Sequence, residues 1–118
     1  RHGAQVPAAS ARVGALLTKD HALKVLNLRR AQRAVEGSGP GPEGNVTKLV
    51  LSEIGHEAAA ILASVGGPES TYAEGEGAIT AMMVLMHRGL SIAGGTSEIK
   101  RNQIGERILG LPRDPLID

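Results

Sequence analysis

The residues best suited to chemistry lie between Ile92 and Pro112, in the run IAGGTSEIKRNQIGERILGLP. Gly94 and Gly95 lack a Cβ and so let another group approach the backbone closely. Thr96 and Ser97 follow, both good helix N-cap types, and Ile99, Ile104, Ile108 and Leu109 then recur at roughly helical spacing. Gly110, with Pro112 two residues beyond it, predicts the end of that helix. A glycine loop entering a capped helix start aims free N–H groups and a positive dipole end at one place, a general arrangement for holding an anion or phosphate. An ordinary loop and cap has the same pattern, and spacing alone does not separate the two.

Other titratable residues carry weaker patterns. Glu53 and Glu57 stand i, i+4 on one helical face beside His56, but no HExxH-type spacing accompanies them, so the expectation is a solvated helix edge and no metal site. His21 and His87 have no nearby Ser or Cys in the sequence to suggest a triad. Arg29, Arg30 and Arg33 crowd one helix end, where positive charge complements the dipole; the alternative is a charged contact at a subunit or coenzyme surface.

The elements that must position the glycine loop follow from periodicity and breaks. Arg1 to Pro7 reads as a lead-in, and Ala8 to about Glu36 as a long amphipathic helix with Val13, Leu16, Leu17, Leu23, Leu26 and Leu28 on a broad face. Gly37 to Gly44, GSGPGPEG, holds four Gly and two Pro and can be neither helix nor central strand. Asn45 is the expected N-cap of a second helix, with Val46, Leu49, Val50, Ile54, Ala58, Ile61, Leu62 and Val65 in phase until Gly66–Gly67–Pro68. Ser70 to Gly77 is a polar connection containing Thr71-Tyr72-Ala73-Glu74, a capping-box pattern. Ala78 to Leu90 predicts a third helix, whose stripe of Ile79, Met82, Met83, Met86 and Leu90 reads as adaptable core filling and the wall nearest the glycine loop. The fold class is therefore all-α, an antiparallel helical bundle of about four helices.

Composition narrows the function classes. A chain of 118 residues fits one domain, and an apolar fraction of 42% is that of a globular protein. A formal net charge of +1 favours neither nucleic acid nor an anionic membrane, and one Tyr with no Phe or Trp leaves no stacking platform for single strands. Zero cysteines exclude disulfides, thiolate metal sites and cysteine nucleophiles, and are compatible with a cytoplasmic protein. No apolar run approaches the ~18 residues of a membrane span, and RHGAQVP does not resemble a signal peptide.

GGTSEIKRN followed by GERILGLPR resembles the C-terminal signature of the acyl-CoA dehydrogenase family, in an ungapped match that includes polar positions packing would not dictate. The resemblance covers essentially the whole chain, residues 1–118, as the last part of a family member. It implies a four-helix bundle with a tail helix, whose first helix and two preceding domains would lie ahead of Arg1, leaving an apolar groove. It also implies FAD, an acyl-CoA substrate in lipid or sterol catabolism, an electron-transfer acceptor and a homo- or hetero-oligomer. By position, Gly94 and Gly95 would border the acyl thioester, and Thr96, Ser97 and Glu98 would contact FAD. Glu98 would do so through ribose or adenine, since a carboxylate is a poor phosphate ligand. Arg101 and Arg107 would tie their helix to neighbours or to another subunit. Ala63 stands where members carry a Gln that reaches FAD across a dimer interface.

In many members a Glu immediately before the Gly-Thr of the signature is the base that removes the α-proton while hydride leaves the β-carbon for the flavin. Here that position is Gly94, so no catalytic residue is expected in this chain. Glu98, one turn into the helix, points elsewhere. The base would then come from the helix ahead of Arg1, or the chain would belong to a catalytically silent partner subunit. A helical interaction module without cofactor is the third reading.

Overall fold

The computed structural model describes residues 6–39, 41–113 and 115. Five helices follow in order: α1 Val6–Val35, α2 Gly44–Gly66, α3 Ala78–Met86, α4 Gly89–Ile92 and α5 Ser97–Arg107, with two 3-10 turns, Gly67–Thr71 and Gly75–Gly77, between α2 and α3. Among the described residues there is no strand, as the periodicity predicts. Val6 and Pro7, expected in a lead-in, are already helical, because a proline's missing N–H costs nothing in a first turn; Arg1 to Gln5 lie outside the described residues.

The glycine-rich break ends α1 as its composition requires. Gly37 takes φ 81°, its N–H bonds to Ala34 O, and Ser38 N–H reaches back to Arg33 O at 3.0 Å. The chain then reverses, and α2 returns antiparallel to α1. Arg12 Nε donates to Glu57 Oε1 at 3.1 Å, Lys19 pairs with Glu53 at 3.8 Å, Arg30 reaches Thr47 Oγ1 at 3.2 Å and Arg33 pairs with Glu43. Glu53 and Glu57 therefore reach towards α1 from a half-exposed helix edge, and the arginines bind one helix end to the next. Half-exposed pairs of this kind contribute about 0–1 kcal/mol each, so they set register more than stability. Asn45 is not the cap expected: Asn45 N–H already bonds to Pro42 O and Thr47 N–H to Glu43 O, and the cap position falls to Glu43, two residues earlier.

Between α2 and α3 the capping-box pattern caps no α-helix. Pro68 starts a 3-10 turn, and Thr71 Oγ1 donates within it to Pro68 O at 2.7 Å. The expected single helix from Ala78 to Leu90 breaks at His87–Arg88, where Leu90 N–H and Ser91 N–H bond three residues back, to His87 O and Arg88 O. Gly89, the poorest helix former short of proline, sits at the break.

The core is thin. Leu23, Ala59, Ile61 and Ala81 are the apolar residues fully buried among those described, joined by Ser52 and Ser70. The stripe predicted to fill it does the opposite: Ile79, Met82, Met83 and Met86 on α3 and Leu90 on α4 are exposed, and Ala81 is the buried residue of α3. Val13, Leu17 and Leu28 on α1 are exposed as well, so apolar surface is spread over several helices rather than confined to one groove. The 28 residues Gly44–Thr71 are long and apolar enough to cross a membrane, against the expectation of no such run. Here that segment supplies the helix that touches all four others.

Gly77 marks the tightest seam. A Cβ there would lie 1.8 Å from Glu69 O, a backbone atom that cannot swing aside. Gly77→Ala is expected to destabilise the protein by about 1–3 kcal/mol or more in urea unfolding. Gly14→Ala, in mid-α1 with nothing within 4 Å of its Cβ, is expected to stabilise by up to ~1 kcal/mol. Equal effects of the two would contradict this packing.

Candidate functional site

After α4 the chain turns sharply at two glycines, Gly94 at φ 71° and Gly95 at φ 104°, and Gly95 N–H bonds to Ile92 O at 3.1 Å. These are left-handed backbone positions that a side chain would strain. A Cβ on Gly94 would meet nothing within 4 Å, whereas one on Gly95 would lie 3.2 Å from Lys100 Cε. Gly94 is thus required by its backbone angle, not by lack of room within this chain. Thr96 is the N-cap of α5, as its type predicts: its Oγ1 accepts from Ile99 N–H at 3.4 Å and its carbonyl takes the first helical bond from Lys100 N–H. Ser97 is the first helical residue, and both hydroxyl residues are half-buried.

The helix start already holds a carboxylate. Glu98 is exposed and folds back onto its own helix; its backbone N–H, then the Thr96 hydroxyl, hold the carboxyl below its ordinary range, with Arg101 and Lys48 assisting. The start of α5 therefore carries a carboxylate of its own chain. At its far end α5 closes as predicted near Gly110, at φ 68°, after Leu109 N–H reaches Ile104 O and Leu111 N–H reaches Gly105 O. Arg101 and Arg107 are exposed, and neither joins an ion pair among the described residues.

Beneath the loop runs a row on α2 that the sequence reading did not single out. Asn45, Lys48, Ser52 and His56 follow at spacings of three and four, one face of a helix. Lys48 Nζ donates to Ser91 O at 2.8 Å, His56 Nε2 lies 2.6 Å from Ser91 Oγ, and Asn45 Oδ1 accepts from Lys100 Nζ at 3.3 Å. Ser52, 2% exposed, donates to Leu49 O. His87 stands edge-on to His56, ring centroids 4.9 Å apart, with its Nδ1 at 2.6 Å from Val84 O. The expectation of a solvated helix edge at His56 is corrected here, since its Nδ1 is sealed from solvent and its Nε2 meets Ser91. The periodic polar row was readable in advance; its pairing with Ser91, 35 residues away, was not.

A cleft of about 350 Å³ opens at the α1–α2 corner, among Asn27, Arg30, Arg33, Gly41 and Glu43, and shares no lining residue with the glycine loop. Among the described residues no cluster of three or more His, Asp or Glu side chains is placed to hold a metal ion.

Comparison with known proteins decides the family. The sequence model for the acyl-CoA dehydrogenase C-terminal domain matches residues 1–109. The chain belongs to the acyl-CoA dehydrogenase family. It is similar to three acyl-CoA dehydrogenases of Mycobacterium tuberculosis. FadE34 is 35% identical over 105 residues, covering 86% of this chain and 14% of that protein. FadE26 is 36% identical over 103 residues, 80% of this chain and 26% of the relative. IpdE1 is 38% identical over 82 residues, 69% and 20%. The chain thus spans between 14% and 26% of the curated relatives it matches. No solved structure matches it.

In this acyl-CoA dehydrogenase domain His56 titrates below its ordinary value of 6.5, chiefly because burial strips water from the imidazolium, with His87 and Arg88 adding repulsion and Glu53 opposing. The unfolded chain takes up this proton near 6.5 and the folded chain does not. Stability tied to His56 is therefore present above that value and lost as the pH falls below it, towards the folded value. Urea midpoints measured from pH 7.5 down to 5.5 are expected to decline more steeply in wild type than in His56→Gln, and parallel declines would contradict it.

Proposed function

We propose that the protein carrying this chain is an FAD-dependent dehydrogenase of acyl-CoA thioesters, forming a Cα–Cβ double bond in lipid or sterol catabolism and passing electrons to a separate acceptor. Residues 1–118 act as its helical C-terminal domain. The observation that carries this reading is the GGTSEIKRN run, which falls on an open double-glycine turn and a capped helix start in a chain of this family.

Gly94 and Gly95 leave their backbone bare, which suits the close approach of a thioester. Thr96 and Ser97, half-buried at the helix start, offer hydroxyl groups to the cofactor. Glu98 covers the dipole end, so it meets a ribose or adenine donor rather than a pyrophosphate. These residues fit FAD along its uncharged parts, and FAD when bound supplies the hydride acceptor. The protein here holds and excludes; no residue of this loop takes the α-proton, because Gly94 has no side chain and the Glu98 carboxylate is engaged by its own helix start. The base then lies on another segment of the full protein. A second reading, a base-less subunit completing a hetero-oligomer with a competent partner, is favoured by the same Gly94.

Flavin absorption in the intact protein and single-turnover flavin reduction by acyl-CoA thioesters test this reading. Glu98→Gln is expected to leave reduction within a few-fold of wild type and at most loosen FAD, whereas losing a general base costs about 10²–10⁴-fold. Collapse of reduction in Glu98→Gln with FAD still bound would place the base in this chain. The 118-residue chain alone is expected to bind FAD weakly and to turn over no acyl-CoA.

A further inference from the structure

The Gly94–Gly95 turn has no side chain of its own to hold it, and ordering two glycines is entropically costly. Its shape must be imposed from its flanks, and both flanks are fastened to α2. Three residues before Gly94, Ser91 is held at two atoms: Lys48 Nζ donates to its carbonyl at 2.8 Å, and His56 Nε2 is 2.6 Å from its hydroxyl. Leu90 lies over Gly55, where a Cβ would fall 2.4 Å from Leu90 Cδ1. On the far flank Lys100 donates to Asn45 Oδ1 and to Gln103 Oε1, each at 3.3 Å, and its stem passes beneath Gly95.

We propose that Lys48 and His56 are positioning residues, which act through Ser91 to hold the Gly94–Thr96 backbone in the arrangement that meets an acyl thioester. The inference rests on the function proposed above. His56 Nδ1 is sealed from solvent with no hydrogen-bond partner. A proton there would be an orphaned buried donor, the rarer and costlier case, so the neutral ring keeps its proton on Nε2 and donates to Ser91 Oγ. The charged and titratable groups around His56 are Glu53 on α2 and His87 and Arg88 at the α3–α4 corner. Lys19 of α1 pairs with that Glu53. Acid leaves the Nε2 donor in place but puts a proton on the sealed Nδ1 beside His87 and Arg88, which favours a ring turned out to solvent and released from Ser91.

The test uses the intact, FAD-loaded protein with His56→Leu, His56→Gln, Lys48→Met and Lys48→Arg. Gln returns a donor near the Nε2 position and Arg a cation near Nζ. Amide hydrogen exchange of the 91–98 segment is expected to accelerate at least tenfold in the Leu and Met variants, with α1 unchanged, and to recover in the Gln and Arg variants. Flavin reduction at saturating acyl-CoA is expected to fall by about 10–10²-fold in the same two variants while FAD content holds, the scale of a misplaced reacting geometry. The wild-type rate is expected to drop below pH 6.5 and the His56→Gln rate not to. Unchanged exchange, or Gln and Arg variants as impaired as Leu and Met, overturns the proposal. If wild type reduces no flavin with any acyl-CoA, the proposed function fails, and the exchange data still decide whether Lys48 and His56 hold the loop.

Discussion

Small residues on α2, α3 and the two 3-10 turns between them set the distances on which the rest of the structure depends. Ser52, Ala59, Ser70 and Ala81 are buried, and Gly77 comes so near Glu69 O that no Cβ fits. Helix backbones that approach this closely leave no space for a layer of large side chains, which is why the fully buried set is small. A separate close approach, of α4 to α2, brings a serine hydroxyl to 2.6 Å from an imidazole. Wider spacing, filled by leucines, would have left Ser91 without its partners and the glycine turn without its anchor.

The consequence is an unusual allocation of apolar surface. Large aliphatic side chains stand exposed on α1, α2, α3 and α5, including the methionines of α3. Exposed leucines and valines scattered singly are ordinary, but successive turns of one helix are not. Stability within this chain leans on backbone helix, a thin small-residue seam and half-exposed ion pairs worth little each. Disturbance at the seam is therefore felt more than loss of any surface pair.

Helices α1, α2 and α5 were legible because their ends are chemical events. Gly37 and the prolines after it stop α1, Gly67 at φ 58° stops α2, and Thr96 starts α5. The α3 stripe was legible as a face and misread as a core, because periodicity reports which side chains share a side and not what lies opposite. Asn45 was misread as a cap for a related reason: its type suits the position, but Glu43 and Pro42 already accept the first N–H groups, leaving its amide for Lys100. The Ser91–His56 pair escaped altogether, since the i+4 spacing from His87 to Ser91 suggested no partner and the real one depends on how α4 folds back on α2.

Glu98 places a negative charge at the start of α5, where a generic phosphate cradle would carry none. A helix start attracts an anion because its first N–H groups lack partners and the dipole is positive there. Here Thr96 satisfies Ile99 N–H, and the Glu98 carboxylate takes its own N–H and the Thr96 hydroxyl, held in its charged form by those bonds and by Arg101 and Lys48. An approaching phosphate would meet a like charge there. What remains free is bare glycine backbone at Gly94, exposed and with open space where a Cβ would stand. The bare turn leaves its backbone open to close approach, and its two flanks are fastened to α2 through Ser91 and Lys100.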